Sequence, residues 1–148
     1  MIDIFTDGGC SGNPGPGGWA FIALRNGQQY GTSGAEAYTT NNKMELMAVI
    51  RALEWFARAR QGGERARVCT DSQYVQQGIT KWIFSWEKNG WKTSDKKPVK
   101  NQELWQELRK LSADIRPQWV WVKGHAGNPH NEACDTMVQA AIEKLKRK

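Results

Sequence analysis

Apolar and polar positions alternate in the first third of the chain, and this alternation predicts β-strands. The strand-like segments are Ile2 to Thr6, Trp19 to Arg25 and Gln28 to Tyr38. The second and third are separated by Asn26-Gly27, which is a strong hairpin signal. The chain is therefore expected to begin with three strands, of which the last two form a hairpin.

The apolar spacing becomes helical after this hairpin. Asn41 or Asn42 is placed to cap a helix, whose apolar stripe follows helical spacing and consists of Leu46, Val49, Ile50, Leu53 and Ala57. Gln61-Gly62-Gly63 ends that helix, and Arg65 to Thr70 predicts a short strand before a helical segment around Tyr74 to Gly78. A strand followed by a helix is typical of a parallel crossover unit.

The second half continues this alternation after a segment rich in tryptophan and lysine, Lys81 to Lys100, which is predicted to be an exposed helix-loop. Asn101 is expected to cap the next helix, and Gln118 to Val122 predicts a strand. The stripe of the last helix is Cys134, Met137, Val138, Ala141 and Leu145. The predicted order is βββ-α-β-α-β-α, an α/β fold in a single domain over residues 1–148.

Cysteine content and hydropathy indicate a cytoplasmic protein. Cys10, Cys69 and Cys134 are odd in number and widely spaced, which argues against a disulfide framework. The N-terminus does not resemble a signal peptide, and no segment approaches the roughly 20 apolar residues of a membrane span. No large apolar surface is evident in the sequence, so we expect a monomer.

The positive charge is concentrated in one segment. The formal net charge is +6. The segment from Lys81 to Lys100 contains six lysines against Glu87 and Asp95, which gives +4 locally. A polyanionic partner and an ordinary solvated surface both fit this pattern.

Four carboxylates lie where apolar segments meet polar ones. Asp7 and Asp71 each follow a predicted strand, whereas Glu45 and Asp135 lie on the margins of two helical stripes. Acidic residues in such places are usually solvated. If these four converge, two strand ends and two helix flanks would form one split site for divalent metal.

Clustered carboxylates repel one another unless a cation lies among them. Two Mg²⁺ ions would balance the four charges, and oxygen ligands suit Mg²⁺ or Mn²⁺ better than zinc. Two ions roughly 4 Å apart activate a water and stabilise the leaving oxygen of a phosphodiester. The chemistry indicated by the acids is phosphodiester hydrolysis.

Six segments together resemble the motifs of a known family. They are T-D-G-G-C from Thr6, G-N-P-G-P-G-G from Gly12, T-N-N-K-M-E-L from Thr40, T-D-S-Q-Y from Thr70, V-K-G-H-A-G from Val122 and N-E-A-C-D from Asn131. In this order and with almost no gaps they resemble type 1 bacterial ribonuclease H, and the similarity runs from Ile2 to about Ala141.

The resemblance implies a ribonuclease H-like fold, a mixed five-stranded sheet flanked by helices, with residues 81–100 as a basic helix-loop handle. It also implies hydrolysis of the RNA strand of RNA–DNA hybrids, leaving 5′-phosphate and 3′-hydroxyl ends. Asp7, Glu45, Asp71 and Asp135 match the family's metal ligands. His125 matches a histidine that helps to move protons or to release product, whereas nothing places His130 near the acids.

The resemblance also assigns residues to the two strands of the hybrid. Cleavage of RNA alone requires that 2′-hydroxyls be sensed on one strand, and the residues matched to the RNA-facing groove are Cys10, Asn13, Asn41, Asn42 and Gln73. The DNA strand is matched by a phosphate pocket at Thr40 and Asn101, and by a handle surface of Trp82, Trp86, Trp91, Lys88, Lys92, Lys96 and Lys97. The handle residues would track the backbone with salt-dependent affinity.

Two positions depart from the family pattern. Tyr38 stands where relatives often have an arginine beside the DNA-phosphate pocket, and Thr136 stands where a charged residue is expected. The first predicts a weaker phosphate pocket. Neither affects the metal ligands.

Two other functions are compatible with the acids alone. A transposase, integrase or Holliday-junction resolvase of the same fold would use similar carboxylates on duplex DNA, but these enzymes lack the handle and the asparagine-rich groove. A hybrid-binding module without activity would be expected to have lost at least one acid, and all four are present.

Overall fold

A mixed five-stranded sheet forms the centre of the computed structural model, which describes residues 1–122 and 128–147. Its strands are β1 (Ile2–Cys10), β2 (Gly15–Arg25), β3 (Gln28–Thr39), β4 (Ala66–Thr70) and β5 (Gln118–Trp121). The spatial order is β3-β2-β1-β4-β5. Strand β2 pairs antiparallel with both β1 and β3, whereas β4 runs parallel to both β1 and β5. The predicted fold class is therefore confirmed.

Helices cover both faces of this sheet. They are α1 (Asn41–Ala59), α2 (Gln73–Gln77), α3 (Ile83–Lys88), α4 (Gln102–Ile115) and α5 (Pro129–Lys146), and a π-helical turn, Gly78–Trp82, joins α2 to α3. On one face, α1 and α4 share a core that contains Leu53, Val68 and Leu108. On the other face, α5 packs Cys134 and Val138 against the sheet. None of the described helices combines the length and hydropathy required to cross a membrane.

The first strand is longer than its sequence pattern predicted. Its alternation ends at Thr6, but β1 continues through Cys10 because residues 8–10 pair with residues 17–19 of β2. The pairing of β1 with β4 stops earlier, at Phe5 opposite Cys69. Beyond that point β1 has an open edge, and Asp7 lies there.

The start of α1 differs from the prediction. Thr40 is the N-cap, and its hydroxyl accepts a hydrogen bond from the backbone N–H of Lys43 at 3.2 Å. Asn41 and Asn42 are the first two helical residues. The prediction that one of them caps the helix was wrong, so their side chains are not needed for this purpose.

The buried surface of α1 is also broader than the predicted stripe. Glu45 and Phe56 are buried, whereas Ala57 is exposed. A helix that packs on both the sheet and α4 buries more than one narrow stripe. Glu45 therefore lies inside the protein and not on the margin that its spacing indicated.

The segment that carries the basic handle is anchored in the core at both ends. Ile83 at the start of α3 is fully buried, and Val99 is 6% exposed. Between them, an isolated β-bridge joins Lys92 to Pro98. The intervening lysines are exposed, so the predicted helix-loop projects from a fixed base.

Candidate metal centre and nucleic-acid interface

Three of the four predicted acids meet at one end of the sheet. One carboxylate oxygen from each of Asp7, Glu45 and Asp71 lies within 4.8 Å of the others. Asp7 comes from the open edge of β1, Asp71 directly follows β4, and Glu45 projects from the first turns of α1. Glu45 and Asp71 lie 38 and 64 positions after Asp7 in the chain. They meet it in space because β1 and β4 are parallel neighbours beneath α1.

Asp135 is the fourth predicted acid, and it does not belong to this group of three among the described residues. It is half-buried on α5. The preceding residue, Cys134, donates a hydrogen bond to the carbonyl of Phe5 on β1. The charge of Asp7 also contributes to the raised pKa of Cys134, about 12, after the larger effect of burial. This part of α5 therefore packs beside the strand that carries Asp7.

A glycine permits the close approach of α1 to β1. A Cβ atom built on Gly8 would lie 2.5 Å from the backbone nitrogen of Glu45 and 2.6 Å from the carbonyl oxygen of Met44, which is closer than real Cβ contacts. The backbone N–H of Gly8 also donates a hydrogen bond to the Glu45 carboxylate. Contact of the two backbones therefore sets the position of Glu45 relative to Asp7.

The electrostatics of the cluster favour a proton or a cation. The pKa of Glu45 lies well above its usual value, chiefly because the carboxyl is buried and further because of the charges of Asp7 and Asp71. Hydrogen bonds from Gly8 and from the Ser72 side chain act in the opposite direction and are outweighed. Three ionised acids at this distance require positive charge among them.

The lining of the site does not provide that charge. A pocket of about 370 Å³, here called the carboxylate pocket, is lined by Asp7, Gly8, Asn41, Asn42, Glu45, Asp71, Ser72, Gln73 and Tyr74. No lysine or arginine is among these residues in the described part of the chain. The charged donors are all oxygens, which suits a hard divalent cation. These residues therefore fit a metal centre.

Replacing Glu45 by Gln is expected to stabilise the metal-free protein at neutral pH. Burial raises the folded-state pKa of Glu45, so its contribution to stability is complete below the unfolded-state pKa of about 4.3. It is lost as the pH rises through the folded-state value. The Tm of the wild type in EDTA should therefore fall relative to that of Glu45→Gln as the pH is raised above about 4.5, and Mg²⁺ should restore it only in the wild type. Glu36→Gln, on β3, is the matched control. A lower Tm for Glu45→Gln throughout this range would contradict the expectation.

The predicted RNA-strand residues come from four segments, which are the end of β1, the loop that follows it, and the first turns of α1 and α2. The side-chain oxygen of Asn13 accepts a hydrogen bond from the backbone N–H of Asn41 at 3.1 Å. The Cys10 thiol, which is partly exposed, lies 3.3 Å from the carbonyls of Gly15 and Thr39. Asn41, Asn42 and Gln73 line the pocket with exposed side chains, and Asn13 is joined to this polar border through Asn41.

The predicted DNA-strand residues lie in the handle, at the N-cap of α1 and at the residue before α4. Trp82 is 37% exposed, while Trp86 is half-buried between Trp91 and Trp105, with ring centroids 5.9 and 5.5 Å away. Trp86 therefore contributes to the base of the handle, and Trp82 offers more of its surface. The hydroxyl of Thr40 is used in the cap of α1.

Asn101 stands at the N-cap position of α4, but it does not cap that helix as predicted. Its backbone is left-handed, with φ of 59°, and its side chain makes no capping hydrogen bond. The Asn101 amide instead contacts the hydroxyl of Tyr74. Since a left-handed N-cap residue cannot direct its side chain along the helix in the usual way, its amide is available for other contacts.

His125 lies outside the described residues. Its predicted role therefore rests on the sequence alone. His130 is among the described residues and lies on α5. Its ring centroid is 4.8 Å from that of Phe5 on β1.

Three residues of the pocket were not singled out from the sequence. Ser72 caps α2 by accepting from the N–H of Val75 at 3.1 Å, and it also hydrogen-bonds to Glu45. Gly8 permits the approach of α1, and Tyr74 lines the pocket wall. The position of Ser72, between Asp71 and the next helix, is a typical N-cap pattern that indicates the first of these roles. The other two depend on contacts between distant segments.

The fold and the site together define a class. A sheet ordered β3-β2-β1-β4-β5, with carboxylates gathered beneath α1 where the pairing of β1 with β4 ends, is the arrangement of nucleases with a ribonuclease H-like fold. In that class, oxygen ligands hold metal ions for phosphodiester chemistry.

Comparison with known proteins identifies the family within this class. The family model described as RNase H matches residues 1–143. Ribonuclease H of Treponema denticola is 55% identical over 157 aligned positions, which cover 97% of this chain and 98% of that protein. The chain belongs to the ribonuclease H family and is a nuclease of the hydrolase class. This family is metal-dependent, and the clustered acids Asp7, Glu45 and Asp71, of which the first two are buried, match that requirement.

Solved structures agree with this conclusion. LC9-RNase H1, described as a type 1 RNase H with the type 2 active-site motif, is 32% identical with a TM-score of 0.81, over 97% of this chain and 72% of that one. LC11-RNase H1, solved in complex with an RNA/DNA hybrid, is 26% identical with a TM-score of 0.72, over 99% of both chains.

Proposed function

We propose that this chain is an endoribonuclease that hydrolyses the RNA strand of RNA–DNA hybrids and leaves 5′-phosphate and 3′-hydroxyl ends. One observation carries the proposal. Three carboxylates within 4.8 Å of one another share a pocket with Asn41, Asn42 and Gln73, which provide amide groups suited to RNA. The hydrolytic centre and the strand-reading groups are thus adjacent. Membership of the ribonuclease H family supports the same activity.

We infer that the metal is Mg²⁺, with two ions bound during catalysis and Mn²⁺ as a possible substitute. Asp7, Glu45, Asp71 and Asp135 would hold them. When bound, the ions supply a nucleophilic water and stabilise the leaving oxygen of the phosphodiester. The protein fixes Glu45 with hydrogen bonds from Gly8 and Ser72, so that this ligand is oriented before substrate binds. His125 is proposed to move a proton or to assist product release.

The RNA strand is proposed to lie along the border formed by Cys10, Asn13, Asn41, Asn42 and Gln73. Asn13 accepts a hydrogen bond of 3.1 Å from the backbone N–H of Asn41, so the loop after β1 and the start of α1 present their polar groups in a fixed relation. Amide groups both donate and accept hydrogen bonds, as a 2′-hydroxyl does. A DNA strand at the same border has no 2′-hydroxyl and would not form these hydrogen bonds.

The DNA strand is proposed to follow the basic handle and a phosphate pocket at Thr40 and Asn101. In the handle, Trp82 and Trp86 would pack against deoxyribose, where a 2′-hydroxyl would be crowded. The surrounding charge is provided by exposed lysines, namely Lys88, Lys92, Lys96 and Lys97. Contacts of this kind give an affinity that falls as the salt concentration rises.

We further propose that residues 1–148 form a single catalytic domain that acts as a monomer in the cytoplasm. The shared core of the sheet with α1, α4 and α5 supports the single domain. The three cysteines are free in the structure, which agrees with a reducing compartment.

The substrate assignment predicts a selective nuclease. With Mg²⁺, the protein should cut the RNA of a hybrid of several ribonucleotides and leave matched duplex DNA and duplex RNA largely intact. End-labelled substrates of one sequence, separated on a denaturing gel, measure this selectivity. Equal cutting of duplex DNA would favour a resolvase- or transposase-type nuclease. Binding of the hybrid without cleavage would favour an inactive binding module.

A further inference from the structure

The hydroxyl of Tyr74 joins two side chains of the α4 region. It accepts a hydrogen bond from Asn101 Nδ2 at 3.2 Å and from the indole Nε1 of Trp105 at 3.0 Å. A phenolic oxygen has two acceptor positions, and both are used here. Tyr74 belongs to α2, so this one atom connects α2 to the start of α4.

The ring of Tyr74 is itself held in place. Its centroid lies 5.2 Å from that of Trp105 and 5.8 Å from that of Trp82, and Trp105 is fully buried. Gly78, one turn after Tyr74, allows the indole of Trp105 to approach, because a Cβ at that position would overlap this ring. The hydroxyl therefore occupies a fixed point between the carboxylate pocket and α4.

Asn101 depends on this point for its orientation. Its backbone is left-handed and its side chain does not cap α4, so the hydrogen bond to Tyr74 is the contact that orients the amide. An amide nitrogen has two N–H groups. With one directed to Tyr74, the other is left to donate to a ligand.

The neighbouring surface places a lysine and the Asn101 amide around one cavity. A second pocket, of about 530 Å³, is lined by Lys43, Pro98, Val99, Asn101, Gln102, Glu103, Leu104 and Gln106. Lys43 of α1, Asn101 at the start of α4 and the acid Glu103 all line this cavity, so its lining carries one positive and one negative charge. An ammonium group and an amide N–H are suitable partners for one phosphate group.

We infer that Tyr74 is a positioning residue, whose hydroxyl holds the Asn101 amide in the orientation that receives a backbone phosphate of the DNA strand. The inference rests on the proposed function, which assigns Asn101 to that phosphate. Tyr74 also lines the carboxylate pocket. One side chain thus fixes the distance between the hydrolytic centre and a contact to the opposite strand.

A double-mutant cycle of Tyr74→Phe and Asn101→Ala tests this role. The Phe variant keeps the ring and removes the acceptor, so the KM and Kd for the hybrid should rise about fivefold, the worth of one hydrogen bond. The value of kcat should change less than about twofold, because the acids are untouched. Tyr30→Phe is the matched control, since Tyr30 is 47% exposed and stacks on Trp55, away from the pocket.

The cycle separates positioning from a general loss of stability. Both single variants should weaken binding, and the double variant should bind no more than about twofold less tightly than Asn101→Ala alone. Tyr74→Phe also removes the hydrogen bond from Trp105, which lowers the Tm whether Asn101 or Ala is at position 101. That loss of stability does not make the effects of the two substitutions on binding less than additive. If the two substitutions raise the Kd by independent factors that multiply, or if Tyr74→Phe leaves binding unchanged, the positioning role alone is overturned. Wild-type binding by Asn101→Ala would overturn it together with the phosphate pocket, and an inactive wild type would overturn the proposed function itself.

Discussion

Asp7→Asn is expected to lower kcat for hybrid cleavage by about 10³-fold or more without weakening hybrid binding. The substitution keeps the size of the side chain but removes one negative charge from a group of three acids that lie within 4.8 Å of one another. An amide is a poorer ligand than a carboxylate for a hard cation. Stabilisation of the transition state by several kcal/mol is therefore lost. The proposed strand contacts lie on other residues, so substrate affinity is retained.

Single-turnover cleavage and equilibrium binding, measured on the same hybrid, separate these two effects. Lys96→Ala is the contrasting variant, because it removes a charge from the exposed handle and leaves the acids intact. It should weaken binding and reduce the salt dependence of Kd while single-turnover chemistry at saturation is preserved. Near-normal turnover by Asp7→Asn would refute the assignment of Asp7 as a metal ligand.

The order of elements was predictable because local patterns and tertiary structure agree over most of the chain. The Asn26-Gly27 hairpin joins β2 to β3 as expected, and the apolar stripe around Leu53 belongs to a helix packed on the sheet. The end of β1 was not predictable. Residues 8–10 have no strand-like alternation, and they extend the strand only because β2 pairs with them.

Helix caps show a second limit of sequence patterns. Asn41, Asn42 and Asn101 have suitable side chains for capping, yet Thr40 caps α1 and Asn101 adopts a left-handed backbone without capping α4. Cap propensity depends on the backbone of the residue as well as its side chain. The Asn101 side chain hydrogen-bonds to Tyr74, 27 positions away, and a local pattern does not include such a contact.

The acids of the candidate site could be predicted from the sequence, but the residues that position the elements around them could not. Asp7, Glu45 and Asp71 stood out because each lies at the boundary of an apolar segment, and they meet in the structure. Asp135 stays a prediction, since it is outside that group in the described residues. The Gly8 backbone meets α1 and the Tyr74 hydroxyl meets Asn101, contacts that span at least 27 positions, so no local spacing identifies these two residues.

Gly8→Ala is expected to reduce hybrid cleavage about 100-fold and to destabilise the fold by about 1–3 kcal/mol. The added Cβ would lie 2.5 Å from the backbone nitrogen of Glu45, whereas ordinary contact begins at 3.4 Å. The obstacle is backbone, and its nearest atom is the carbonyl carbon of Met44, so α1 and β1 must separate by about 1 Å. That movement carries Glu45 away from Asp7 and disturbs the hydrogen bond from the Gly8 N–H. A displacement of about 1 Å at a reacting centre is sufficient for a loss of this size.

Gly9→Ala is the matched control, because Gly9 is the next residue of β1 and loses the same conformational freedom on substitution. Its Cβ would meet only the Val138 side chain, at 3.4 Å, on the opposite face of the sheet. Cleavage at a temperature well below both Tm values, with Mg²⁺ titrated, isolates the effect on the site. Gly8→Ala should require more Mg²⁺ for half-maximal rate and should remain slower at saturation, whereas Gly9→Ala should follow the wild type. Equal rates for the two variants would show that the spacing of α1 and β1 does not control the metal centre, and the placement of Glu45 would then have to depend on Ser72.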